Sequence, residues 1–353
     1  MTEEKDKSGL LGRIGDAVRG RKRSPKQEAK PKARAKVQQP RSRSTPAPAI
    51  EIARRPAFAT GGHPLMDGHP PDWASGWGDD RQGVWVELTV GDATQRMRWI
   101  GPGRFLMGSP EDEQGRIGES EGRFNEGPRH EVRISWGFWL FDTPVTQALW
   151  EAVMSSNPSR FVDPKRPVER VSWDEAMAFI GRINAIIPDL DLVLPTEAQW
   201  EYACRAGTNT ATYAGPMEIL GTRNAPILDA IAWYGGNSGV EFDLHEGEDS
   251  SSWPDKQYEH SRAGTRPDGQ KKLNPWGCHD MLGNVWEWCA DDMRKYTADP
   301  ATDPFGSRSS ARRALRGGPW NGTARSVRAA YRFAYARDDL YDVIGFRCAR
   351  VRP

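Results

Sequence analysis

The sequence predicts an irregular, loop-rich fold in which short elements are joined by long ordered loops. Three observations carry that expectation: 36 Gly and 27 Pro punctuate 353 residues, 15 Trp are spread among them, and two stretches show a helical period. Gly and Pro end regular elements and set turns, while large indoles fill the gaps between short elements.

The N-terminal part differs in composition from the rest. Residues 1–50 hold 14 Lys and Arg against 5 Asp and Glu, whereas the remainder holds 35 against 43. The overall charge of +1 therefore conceals a basic arm on an acidic body. From Arg21 to Ala49 the arm is almost free of large apolar side chains and cannot bury enough surface to fold. Upstream, Leu10, Leu11, Ile14 and Val18 recur at helical spacing among basic residues and glycines. Two readings are open: an amphipathic helix on an acidic partner, a nucleic acid or a membrane surface, or a solvated terminus with no binding role. The arm is assigned to residues 1–72 and the folded domain to residues 73–353. The N-terminus shows no apolar signal core and the chain no 18-residue apolar run, so neither a secretory signal nor a transmembrane segment is expected. Four Cys are too few for a disulfide framework, and a cytoplasmic protein is expected.

Two helices follow in the body. Over residues 146–153, Ala148, Leu149, Ala152 and Val153 fall at helical spacing, with Thr146 or Thr143 as cap. Over residues 172–183, Ser172 opens a capping box closed by Glu175, and Ala176, Phe179, Ile180 and Ile183 form one apolar face. Both read as scaffold.

Ordered motifs then run to the C-terminus. They are Arg104-Phe105-Leu106-Met107-Gly108-Ser109-Pro110, Glu126-Gly127-Pro128-Arg129-His130, Thr143-Pro144-Val145-Thr146, Val171-Ser172-Trp173-Asp174-Glu175-Ala176 and the block from Leu194 to Gly207. Asp280-Met281-Leu282-Gly283-Asn284-Val285-Trp286-Glu287-Trp288, Arg316-Gly317-Gly318-Pro319-Trp320 and Gly345-Phe346-Arg347-Cys348 complete the series. In these blocks and their order the chain resembles the formylglycine-generating enzyme (sulfatase-modifying factor) family. The resemblance implies an α+β architecture, a loop-rich variant of the C-type lectin fold. It also implies that Cys204 and Cys348 lie near each other, here as reduced thiols, while Cys278 and Cys289 read as small buried apolar residues.

The family's oxidases carry a copper-binding cysteine pair between the last two motifs. The matching positions here are Gly322 and Val327, and neither can act as soft metal ligand or nucleophile. Related sulfoxide synthases bind iron through His-x3-His-x-Glu, a spacing that none of the six His shows. Neither copper nor iron is expected. The resemblance does imply a structural calcium ion on Asp280, Gly283, Val285 and Glu287, an all-oxygen set suited to a hard cation. The alternative is that Asp280 and Glu287 accept hydrogen bonds within the loop without an ion.

Residues 321–343 have a composition of their own. They contain no Lys, Glu, Gln, Met or Trp. Those five cannot arise from an AAC codon when its adenines are replaced, whereas every residue present can. The segment resembles the variable region of a diversity-generating retroelement target protein, a system that copies a template into a lectin-fold gene with errors at adenines; an ordinary degenerate family member is the other reading. Loops on a rigid frame suit recognition, and Tyr and Phe beside small polar residues suit a binding surface. The candidate contact residues are Asn321, Gly322, Thr323, Ser326, Tyr331, Phe333, Tyr335, Asp338, Leu340, Tyr341, Asp342 and Val343, with a protein ligand as partner. Two functions therefore stand: a non-catalytic binding protein, leaning away from an enzyme, or a formylglycine-generating or sulfoxide-synthase-like oxidoreductase with a noncanonical centre.

Overall fold

A computed structural model describes residues 63–66, 68–118, 125–307 and 310–351. The expectations for the basic arm up to residue 62, its amphipathic stretch included, lie outside the described residues. Leu65, upstream of residue 73, is already buried against the domain core.

The architecture is α+β with short strands. A five-stranded sheet runs β1 (Gly76–Asp80), β2 (Gly83–Val90), β3 (Ala93–Ile100), β6 (Phe138–Phe141) and β14 (Ala349–Arg350). Its first three strands form an antiparallel meander in which Val86, Leu88 and Val90 alternate inward along β2, the two-residue period of a half-buried strand. Gly91 turns β2 into β3 at φ 57°, where other residues are strained. The last strand, β14, pairs antiparallel with β6, so the chain's end closes its first sheet. A second sheet orders β10 (Ala301–Thr302), β5 (His130–Ile134) and β4 (Gly103–Met107). A two-stranded ribbon joins β7 (Glu248–Asp249) to β8 (Arg262–Ala263).

The helices show what periodicity can and cannot tell. Helix α1 spans Gln147–Met154 with Thr146 as N-cap, its hydroxyl accepting the Leu149 N–H. Its buried side is Gln147, Leu149, Trp150 and Val153, while Ala152 is exposed, which rotates the expected apolar face. The Gln147 amide bonds the Phe161 carbonyl at 2.8 Å, so a polar residue occupies the inner face at no loss of hydrogen bonding. Helix α2, Trp173–Ile186, carries the complete Ser172–Glu175 capping box and buries Ala176, Phe179, Ile180 and Ile183 as expected. Helix α3, Glu197–Arg205, was not legible as an amphipathic pattern because Glu197, Glu201 and Arg205 are all buried. Its reciprocal Thr196–Gln199 cap was the available signal.

Two large core clusters result, beside a small third one of Phe161, Ala263 and Trp320. One gathers Phe105, Met107, Val132, Trp200 and Tyr202 around α3; the other packs α1 and α2 on the five-stranded sheet through Trp139, Leu149, Phe179 and Phe346. All four Cys are buried and free, Cys204 in the first cluster and Cys348 in the second.

A four-stranded sheet in the order β12 (Phe333–Ala336), β11 (Arg312–Arg316), β9 (Trp286–Trp288) and β13 (Ile344–Gly345) carries the candidate region. Strand β11 pairs antiparallel with both β12 and β9, and β13 pairs parallel with β9. Residues 317–343 are therefore one excursion, pinned at β11, at β12 and again at β13.

Candidate binding face

Within this excursion the side chains divide by burial. Asn321, Thr323, Tyr331, Phe333, Tyr335, Asp342 and Val343 are half-buried, Asp338 is exposed, and Leu340 and Tyr341 are 49% and 45% exposed. Along residues 331–335 the pattern alternates, with Arg332 and Ala334 turned inward. Two expected contact residues are corrected: Gly322 and Ser326 are buried. The Ser326 hydroxyl donates to the Thr323 carbonyl at 2.8 Å, and a Cβ at Gly322 would stand 2.7 Å from that hydroxyl oxygen. Both belong to the tight turn after Trp320. Val327 is 0% exposed. The position matching the first family cysteine thus has no room for one, and the second is filled core.

The aromatic residues are brought together. Trp286 stacks on Phe333 with centroids 5.8 Å apart and lies 5.8 Å from Tyr331. Phe333 meets Tyr335 edge-on at 4.9 Å, and Tyr335 meets Tyr341 at 5.0 Å. The run reaches solvent at Tyr341 and Leu340 and is anchored at Trp286, 6% exposed. Tyr331, Phe333 and Tyr335 are thus half-buried on the second core cluster rather than freely exposed. Such rings offer contact area at small entropic cost because packing already restrains them.

Charged groups edge the run. Arg337 pairs with Asp174, and the guanidinium groups of Arg313 and Arg337 lie 4.5 and 5.0 Å from the Trp173 ring centroid. Arg160 bridges Asp342 at 2.5 Å and Glu248 at 2.9 Å. The backbone N–H of Arg170, a left-handed residue at φ 59°, donates to the Tyr341 carbonyl. These neighbours come from α2, β11, β7 and intervening loops, far apart in the chain, so local sequence does not show that they meet.

Beneath the face lies a layer of buried arginines. Arg316 donates to the carbonyls of Ala329, Ala330 and Tyr331 and pairs with Glu201. Arg328 forks onto Glu126 and also reaches Glu113 at 2.6 Å. Arg332 forks onto Glu197 with both bonds at 2.6 Å. Planar bidentate pairing fixes orientation as well as charge. Arg328 and Arg332 therefore belong to the frame although they fall inside the segment read as variable. A sequence signal existed in Glu197, Glu201 and Arg205, an i,i+4 stripe of charge beside Trp200 that calls for buried partners.

Glu169 sits next to this surface without a cationic partner of its own. It is 0% exposed, one oxygen accepts the Phe161 N–H at 2.8 Å, and the other has no hydrogen-bond partner in the protein. Burial, reinforced by the Asp342 charge, lifts its pKa from 4.5 to about 7, against the pull of the backbone N–H donors. A carboxyl raised in the folded state binds a proton on folding, so its stabilising effect is complete below about pH 4.5 and is lost as pH rises to about 7. Glu169→Gln should remove that loss. In urea titrations the variant should gain about 2–3 kcal/mol on the parent between about pH 5 and pH 8, and a constant difference across that range would refute the assignment.

The four residues expected to hold calcium divide as well. Glu287 is 0% exposed, and its carboxylate accepts two bonds from Arg347, at 2.7 and 2.8 Å, and one from the Trp200 indole at 2.8 Å. Arg347 thus supplies a positive charge to Glu287 within the buried loop. Gly283 and Val285 are buried beside it. Asp280 differs: Oδ2 accepts the Gly269 N–H at 2.7 Å, while Oδ1 is buried and without a hydrogen-bond partner in the protein. A buried carboxylate oxygen left over in this way is the type of donor a hard cation takes.

Fold and site together define a loop-rich α+β scaffold of the C-type lectin kind that carries an aromatic face on a buried ionic frame. The chain matches the Sulfatase-modifying factor enzyme 1-like domain over residues 86–352 and belongs to that family. Chaperone protein LppX of Paenibacillus barcinonensis is 30% identical over 60% of this chain and 80% of its own length. The formylglycine-generating enzymes of Thermomonospora curvata and Streptomyces coelicolor are 32% and 33% identical over 58% and 53% of the chain. The matches span 62% and 53% of those two enzymes. Among solved structures, Treponema denticola variable protein 1 is 28% identical with a TM-score of 0.58, over 76% of this chain and 99% of that one. PvdO of Pseudomonas aeruginosa, 22% identical with a TM-score of 0.56 over 79% and 99%, shares the fold. Among the described residues, no helix is long and apolar enough to cross a membrane.

Proposed function

We propose that this chain is a non-catalytic binding protein, the variable protein of a diversity-generating retroelement, and that it recognises a protein ligand through the face built from residues 321–343. The observation that carries the reading is the division of that segment into a connected aromatic surface and a buried frame of Arg316, Arg328 and Arg332. Such a division lets ligand choice change while the fold is kept. The likeness to Treponema denticola variable protein 1 supports it.

The family's enzymatic members favour an oxidase as the second reading. It lacks a reactive thiol at the expected place. The thiols of Cys204, Cys278, Cys289 and Cys348 are all buried, and burial raises the pKa of each, that of Cys278 to about 12. Four free thiols also suit a reducing, cytoplasmic compartment.

The locus and the protein test the proposal together. Sequencing around the gene should reveal a second copy of the DNA for residues 321–343 that differs only at adenines, beside a reverse transcriptase gene. Purified protein, with or without copper, should leave a Cys-x-Pro-x-Arg peptide unconverted by mass spectrometry. Formylglycine above a metal-free control, or a locus without such a repeat, overturns the reading.

A further inference from the structure

His130, the first residue of β5, is 3% exposed and lies beside the buried arginine layer. Both of its ring nitrogens are engaged. Nδ1 is 3.0 Å from the Pro128 carbonyl oxygen, and Nε2 is bonded to the Arg294 guanidinium. A carbonyl oxygen accepts and a guanidinium donates, and neither can do the reverse. Nδ1 therefore carries the proton and Nε2 the lone pair. The ring is neutral, and it cannot become an imidazolium while Arg294 stays in place.

The surroundings offer an added proton no counter-charge. The Tyr296 ring, 2% exposed, is shared by the His130 ring at 4.8 Å between centroids and by the guanidinium groups of Arg294 and Arg332 at 4.7 and 3.8 Å. A protonated His130 would be the third cation around one phenol. The carboxylates that face this cluster, Glu197 and Glu201, are already held, the first by Arg332 and the second by Arg205 and Arg316. The residues flanking His130 turn elsewhere, Arg129 to the Asn209 carbonyl and Glu131 to Arg104. Burial, with the Arg294 and Arg332 charges, holds the His130 pKa below its ordinary 6.5, against the pull of the Pro128 carbonyl and of Glu201. Arg294 is also tied to the frame beneath the face, because its carbonyl accepts from Arg332 Nη2 at 3.1 Å.

We propose that His130 and Arg294 form an acid-sensitive latch on the buried frame. It is closed while the imidazole is neutral and opens when protonation at Nε2 expels the Arg294 guanidinium, which loosens residues 292–296 and the anchorage of Arg332. The latch belongs to the frame and stands whether or not the aromatic face binds a ligand. Its direction in pH follows from linkage. The unfolded chain takes up the proton near 6.5 and the folded chain only below that, so the contribution of the latch is complete above 6.5 and is lost as pH falls to the lower folded value.

Histidine-labelled full-length protein tests the latch by nuclear magnetic resonance, and hydrogen exchange tests its opening. At about pH 7.5 the His130 ring should show a protonated Nδ1 and a bare Nε2. Amide exchange over residues 292–296 and 328–333, corrected for the intrinsic effect of pH, should quicken by about tenfold or more in the parent between about pH 7.5 and pH 5. His130→Gln keeps an acceptor for Arg294 and a donor for Pro128 but does not titrate, and its exchange should change by less than about twofold over the same range. Arg294→Met removes the opposing charge and the bond to Nε2, so the His130 pKa should rise toward 6.5 and the acid response should vanish. A ring protonated at Nε2 at neutral pH overturns the proposal. So does an acid response in His130→Gln equal to that of the parent, or a His130 pKa that Arg294→Met leaves unmoved.

Discussion

Arg332→Ala should cost about 3–5 kcal/mol of folding stability, although position 332 lies inside the segment whose composition reads as freely variable. Arg332 is 1% exposed, grips both oxygens of Glu197, and spreads its guanidinium 3.8 Å from the Tyr296 ring centroid. Truncation leaves the Glu197 carboxylate, itself 1% exposed, with Arg316 at 3.8 Å as its remaining cation. An uncompensated buried charge is the expensive outcome, whereas removing both partners is much cheaper. Urea denaturation of Arg332→Ala, of Glu197→Leu and of the double variant measures this, and the double variant should recover a large part of the loss. A single-variant loss below about 1 kcal/mol would place Arg332 among exchangeable surface residues and undo the separation of frame from face.

Phe346→Ser should be at least as damaging. Phe346 is 0% exposed, lies 5.4 Å from Phe179 and 6.2 Å from Trp150 between ring centroids, and so joins the chain's end to α2 and α1. Truncating a core aromatic costs roughly 3–5 kcal/mol, and an unsatisfied buried hydroxyl adds about 1–3. Against a total of about 5–15 kcal/mol, most molecules should unfold or melt far below the parent. Tyr341→Ser, at the solvent end of the aromatic run, is the contrast and should shift stability by about 0.5 kcal/mol or less. Equal losses in the two variants would show that the run is ordinary core and not a recognition face.

The aromatic run is partly legible in the sequence. Tyr331, Phe333, Tyr335 and Tyr341 were expected on one surface, and they do form one connected series with Trp286. Composition does not separate Gly322 and Ser326 from the exposed positions, because it does not distinguish a turn's interior from its rim. Nothing in the sequence singles out Arg328 and Arg332, because an arginine in a loop is ordinarily solvated. Burial makes sense for them only once Glu126 and Glu197, 202 and 135 positions away in the chain, are brought beside them.

The sequence by itself determined the local events and the chemistry that is absent. Ser172 with Glu175 and the period of Ala176, Phe179, Ile180 and Ile183 specify α2 within a few turns of chain, and Gly322 and Val327 withhold a thiolate in any fold. Tertiary structure alone decided which charges go inside, that Glu287 pairs with Arg347, and that Arg332 meets Glu197. The physical reason is range. Capping and periodicity act over about one helical turn, whereas a buried charge is tolerable only beside a partner that the fold delivers from a distant part of the chain.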